Sequence, residues 1–254
     1  GMLAAAVLAA MSGVARAQAP ATAEQLKFNL GMDNGGMPPP VMDNEIYTHV
    51  LLDQFEGRWN GRNQLEGRWD AQAWSGTDYN KLWLKSEGRY TGQGKLYDSQ
   101  QSILYDRPIM SYFDLQAGVR FDVDSLQTRT WAALGVQGLA LYFFDLEATV
   151  YASDNGHYAA RLVASYDVLL TNRLILQPQI ELNLYSKDDP GRRIGAGLAT
   201  LETGLRLRYE ISRKFAPYIG IHYEGEFGRT ATIARQDGES PSSVGFVFGV
   251  RTWF

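Results

Sequence analysis

From Glu45 onward apolar side chains recur at every second position, and the positions between them carry charge or amide groups. A period of two marks an extended strand with unlike faces. Between Arg161 and Val168, Leu162, Ala164, Tyr166 and Val168 share one face and Arg161, Ser165 and Asp167 the other. Leu174, Leu176, Ile180, Leu182 and Leu184 alternate with Gln177, Gln179, Glu181 and Asn183. Leu201, Leu205, Leu207 and Tyr209 oppose Glu202, Arg206, Arg208 and Glu210, and Ile219, Ile221, Tyr223 and Phe227 oppose His222, Glu224 and Glu226. A sandwich would bury the apolar face and wet the charged one. Here both faces persist over strands of roughly 10–14 residues, the length of a tilted membrane crossing. The expected fold is therefore all-β, an antiparallel transmembrane β-barrel with an apolar wall and a polar lumen.

Turn signals divide the chain into about 12 strands, with ten as the alternative because Leu96 to Tyr105 alternates poorly. Connection lengths alternate too. Those at Asp78–Asn80, Leu170–Arg173 and Ser212–Lys214 are short, and those at Lys187–Arg193 and Thr230–Ser243 are long and polar. With a periplasmic amino terminus, all the short ones fall on the periplasmic side and the long ones outside. The final run, Val244 to Phe254, puts Val244, Phe246, Phe248, Val250 and Phe254 on one face. A last strand of this kind can close the sheet on itself and leave no unpaired edge in lipid. Tyr158, Phe227 and Tyr90 are expected at the outer interface, and Tyr166, Tyr209 and Tyr218 at the periplasmic one.

The amino-terminal region follows other rules. Leu3 to Met11 is apolar and leads to Ala15-Arg16-Ala17, so residues 1–17 are expected to be a secretory signal cut after Ala17. The sequence opens at Gly1 with no basic n-region, and an incomplete start is expected. Residues 18–44 carry Pro38-Pro39-Pro40 and few apolar residues besides methionine, the composition of a disordered periplasmic arm. Residues 45–254 would then form the barrel. No later run reaches the roughly 20 apolar residues of a spanning helix. A mean hydropathy of −0.26 suits a barrel that is apolar on one face of each strand. A net charge of −4 gives no basic field for nucleic acid. The count of zero cysteines removes thiolate sites and leaves His, Met, Asp and Glu as metal ligands.

Several runs resemble the copper resistance protein B family of outer-membrane proteins. They include Trp69-Asp70-Ala71-Gln72-Ala73-Trp74, Thr130 to Ala140, Leu184 to Pro190, Leu205 to Ile211, and the ending Gly249-Val250-Arg251-Thr252-Trp253-Phe254. The likeness runs from about Tyr47 to Phe254. It implies outer-membrane placement, a part in copper tolerance and homeostasis without catalysis, and the binding of copper as Cu(I) or Cu(II) or its passage across the outer membrane along the acidic lumen. The expected partners are copper ions and outer-membrane lipid, with periplasmic copper-binding proteins as a further class and nucleic acid excluded. Family members often carry a long Met- and His-rich arm. This chain keeps only Met32, Met37 and Met42, evenly spaced, and no His before His49.

Thioether sulfur is soft and suits Cu(I), whereas imidazole and carboxylate suit Cu(II). Met32, Met37 and Met42 could wrap one Cu(I), with Asp33 and Asp43 drawing in cations. In the barrel, His222 shares the expected lumen face with Glu224 and Glu226. His49 has ambiguous parity, since Leu51, Phe55 and Trp59 share its face with Asp53. Inward charges of both signs, among them Asp70, Lys85, Glu87, Arg89, Arg120, Arg161, Glu181, Glu202 and Arg206, point to a paired and partly plugged interior. Two other readings stand beside a copper-binding barrel. One is a general small-solute or structural barrel. The other is an outer-membrane phospholipase, which would need a Ser–His pair on the lipid-facing wall.

Overall fold

The structure is a computed structural model that describes residues 45–60, 64–91, 96–123, 128–154 and 156–254. The expected signal and arm, with Met32, Met37 and Met42, lie outside the described residues. Among those residues the strands are β1 (Tyr47–Asn60), β2 (Gln64–Gly76), β3 (Lys81–Thr91), β4 (Leu96–Met110), β5 (Phe113–Val123), β6 (Thr128–Ala140) and β7 (Phe144–Ser153). They continue with β8 (Tyr158–Ser165), β9 (Val168–Leu169), β10 (Leu174–Tyr185), β11 (Gly197–Tyr209), β12 (Phe215–Glu226) and β13 (Ser242–Trp253), with one α-helix, α1 (Gly228–Gln236), before the last. No helix among them is long and apolar enough to cross a membrane.

The strands form one antiparallel sheet that closes on itself, because β13 pairs with both β12 and β1. β8 and β9 are one stave. Both pair with β10 in the same register, from Gln179↔Ser165 to Leu176↔Val168. The break lies opposite Pro178, whose carbonyl still accepts from the Tyr166 N–H at 3.1 Å. Proline has no N–H to return the bond, so the ladder is interrupted there. Counted this way, the closed barrel has 12 staves, as the turn signals led us to expect. The seam includes the last residue. The Phe254 N–H donates to the Val50 carbonyl at 2.8 Å, and the Val50 N–H donates back at 3.0 Å.

The two faces separate as the alternation requires. Ile219 and Phe246 are 64% and 67% exposed on the outer wall, while Glu56, Arg58, Arg206 and His222 are buried inside. Such an outer surface is stable only against lipid. In β1 the pairing with β2 shifts between Leu52 and Gln54, which leaves Asp53 as an extra residue. A bulge of one residue reverses parity. His49 therefore points inward with Leu51, whereas Phe55 and Trp59 face out at 52% and 53% exposure. The ambiguity over His49 came from reading two phases as one.

The two longest connections share one rim, together with the short connection from β7 to β8. Connections 77–80, 111–112, 170–173 and 210–214 lie at the rim where the barrel's chain ends meet, and 186–196 and 227–241 at the other. Three expectations are corrected by the side chains. Tyr218 is not an interfacial residue; it is buried inward, and its hydroxyl donates to Glu56 at 2.9 Å. The lumen is not polar throughout, since Leu104, Trp131, Ala133 and Tyr151 pack as an apolar cluster inside it. The long connection before β13 is not all loop, because α1 occupies its first part and buries Thr230, Ala231 and Ala234.

Ile219→Arg places a charge on the lipid wall and is expected to lower stability by about 2–4 kcal/mol, while Tyr209→Arg at the rim costs less. Urea unfolding of both variants from liposomes checks the difference.

Candidate functional site: a plugged lumen with a roofed chamber

The inward positions of β1, β2, β3, β8, β10, β11 and β12 deliver charged groups of both signs to one level of the lumen. Arg58, Arg68 and Arg89 come from three consecutive strands, and all reach Glu202 on β11, at 2.6, 2.7 and 2.9 Å. Arg58 also holds Glu56 at 2.7 Å, and Arg206 approaches the same carboxylate at 3.1 Å. Arg161 grips Glu87 through two bonds of 2.7 Å and reaches Glu181 at 3.1 Å. Arg89 makes a last link, to Glu224, at 2.6 Å. Guanidinium forks suit this use because each can serve two carboxylates at once. Such charges are costly to desolvate and are tolerated only when each has its partner.

A cavity of about 330 Å³ lies beside this layer, toward the rim of the long connections. Arg68, Glu87, Glu181 and Glu224 line it from the barrel, and Arg192, Arg193, Thr230 and Ala234 from the two long connections. A second cavity of about 410 Å³ shares Arg89, Glu224, Glu226 and Glu239 with it. The layer of ion pairs thus separates a chamber at this rim from the rest of the lumen.

The expected metal ligands meet different fates. His222, Glu224 and Glu226 do share the inward face of β12, but they are not equally available. His222 is 4% exposed, and its Nδ1 is buried with no hydrogen-bond partner. Its ring lies over Gly245, where a Cβ would fall 3.1 Å from Nδ1. Glu224 is held by Arg89. Glu226 lines both cavities, and its Oε2 is buried without a hydrogen-bond partner. His49 is not brought near them. It pairs with Trp74, and its ring sits 6.0 Å from Trp74 and 5.5 Å from Trp253, whereas His222 lies level with Asn60 through their shared partner Gly245. Among the described residues no three His, Asp or Glu side chains are grouped so as to hold a metal ion.

One element of the site was not foreseen. Arg192, from the connection after β10, reaches the buried Asp122 of β5 at 2.9 Å. Asp122 also accepts from Arg120 at 2.6 Å and from the Trp131 indole at 2.8 Å. Sequence gave no signal for it, since Lys187 to Arg193 has the composition of any solvated loop.

Comparison with known proteins follows the same lines. The family model described as copper resistance protein B precursor (CopB) matches residues 46–254. Copper resistance protein B of Escherichia coli is 46% identical over 214 residues, covering 84% of this chain and 72% of that one. A copper resistance protein B homolog of Pseudomonas syringae pv. tomato is 44% identical over 215 residues, again 84% and 72% of the two chains. Among solved structures, a NanC porin has a TM-score of 0.52 at 15% identity, covering 81% of this chain and 99% of that one, a likeness of fold.

Glu202→Gln leaves parts of three guanidiniums uncompensated and is expected to cost about 3–5 kcal/mol. Glu224→Gln leaves Arg89 its bond to Glu202 and is expected to cost about 1 kcal/mol or less. Urea midpoints of the two folded variants in liposomes give the comparison.

Proposed function

The chain belongs to the copper resistance protein B family, and on that footing we propose that it contributes to copper resistance by binding copper at the outer membrane. The family match over residues 46–254 carries this reading. It makes the protein a copper resistance barrel of the outer membrane and not an enzyme.

The way the lumen is filled favours holding copper over steady conduction. Its central layer is paired guanidinium and carboxylate, which offers a passing cation few uncommitted acidic groups. Copper ligation then falls to groups that no ion pair has claimed. Met32, Met37 and Met42 supply three thioethers, a soft set that suits Cu(I). Glu226 supplies a carboxylate oxygen at the chamber and His222 a buried imidazole nitrogen on the same inward face of β12, donors that suit Cu(II). Glu224 takes part through charge while Arg89 holds it, and His49, between two tryptophan rings, sits apart from both sets. A general small-solute barrel, the competing reading, would show no preference for copper.

Titration of the purified, refolded protein with Cu(I), Cu(II) and Zn(II) tests the proposal. Copper is expected to bind more tightly than zinc. Replacing Met32, Met37 and Met42 with Leu is expected to weaken Cu(I) binding by about tenfold or more, or about 1.4 kcal/mol, with Cu(II) binding little changed. Equal affinity for copper and zinc would overturn the reading.

A further inference from the structure

The rim of the long connections is covered by two segments that touch each other. The first, residues 186–196, is tied into a compact hairpin. The Asp189 N–H donates to the Ile194 carbonyl at 2.7 Å and the Ile194 N–H returns the bond at 3.1 Å. It passes the ends of β7 and β8 and fastens to the β5–β6 hairpin at two points, Arg192 to Asp122 at 2.9 Å and Asp189 to Arg129 at 2.5 Å. The second segment is α1. The Gly195 N–H donates to the Thr230 hydroxyl at 2.9 Å, and a Cβ at Gly195 would collide with the Thr230 backbone. Arg193 adds looser, exposed links to Asp237 and Glu239, both at 3.4 Å. Beneath the two segments lies the chamber of about 330 Å³.

We propose that residues 186–196 and α1 form a releasable lid over the chamber, with Arg192 to Asp122 and Asp189 to Arg129 as its two latches. The bonding at Asp122 makes release feasible. When Arg192 leaves, the Asp122 carboxylate keeps the Arg120 guanidinium and the Trp131 indole N–H, so it is not left bare. Arg129, released by Asp189, keeps its place over the Trp131 ring at 5.6 Å. Arg192 gains water in exchange. The layer below has less freedom, since Glu202, Glu181 and Glu56 are each held by two or more arginines. The lid is also jointed. Gly197, at φ 91°, joins the hairpin to β11 with open space where a Cβ would stand, and Gly228, at φ 55°, begins α1. Glycine takes these angles without steric cost. The hairpin and α1 can therefore move as compact pieces about these joints, and the lid opens the chamber from the long-connection side while the ion-pair layer stays shut.

A chain with no cysteine allows a direct test. Thr200→Cys puts one thiol on the chamber wall, and its reaction rate with a cationic methanethiosulfonate reports access. The rate is measured with the lid intact, with Arg192→Ala added, and with Asp189→Asn added, each protein first shown to be folded by heat-modifiable migration. Freeing either latch is expected to raise the rate by about tenfold, as a minor open state becomes the major one. A rise of about threefold or more in either variant supports the lid, and a smaller change in both overturns it. The assay contains no copper, so its outcome stands apart from that of the copper titration.

Discussion

Glu202 accepts from Arg58, Arg68 and Arg89, whose strands β1, β2 and β3 face β11 across the lumen. That convergence follows from one constraint. In a closed barrel set in lipid, charge cannot face the hydrocarbon, so away from the rims the charged residues of the alternation point into the same narrow space. With twelve staves there is too little room for each charge to keep its own water. They must satisfy each other, and arginine's two-sided fork is the side chain that can do so across several strands. The plug in the lumen is thus the physical consequence of the pattern that makes the wall apolar.

The interior has two layers with different energetics. In the central layer Glu202, Glu181 and Glu56 are each shared between arginines, so removing one of them strands several guanidiniums, and the layer behaves as a rigid cross-brace between strands. At the mouth, Asp122 is over-supplied with donors, and its bond to Arg192 is the one that can be lost without stranding it. Rigidity below and replaceable contacts above allow the mouth to move without disturbing the barrel's stability. The chamber between them is bounded by both layers.

Much of this was legible in the sequence because a period of two has one strong physical cause. The strand faces, the common rim of the two longest connections, the closing role of Phe254 and the inward position of His222 all follow from parity. Where parity breaks, reading from sequence fails for identifiable reasons. Asp53 is an extra residue in β1, and no local signal marks which residue of a strand will bulge. Pro178 does leave a mark, since its missing N–H interrupts the partner stave, but its side of the sheet is set by neighbours far away in the chain. Tyr218 looks interfacial until the distant Glu56 is known to accept from it. The helix α1 is too short and too rich in Thr and Arg to show a clear apolar stripe, and its packing against Gly195 is a tertiary event.

The same parity bears on copper. An acidic lumen face reads as a cation path only if its carboxylates are free, and parity cannot say which are. Glu224 and Glu226 look equivalent, two positions apart on one strand, yet Arg89 takes the first and leaves the Oε2 of the second without a hydrogen bond. What separates them is an arginine on β3, brought near only when the barrel closes. Ion pairing therefore removes the hard oxygen donors of the central layer from competition for metal. Under the proposed copper-binding reading, selectivity would then rest on soft or uncommitted groups, the thioethers and the His222 imidazole. A charged lumen is compatible with the proposed binding of a soft metal for that reason, since the charges are spent on one another.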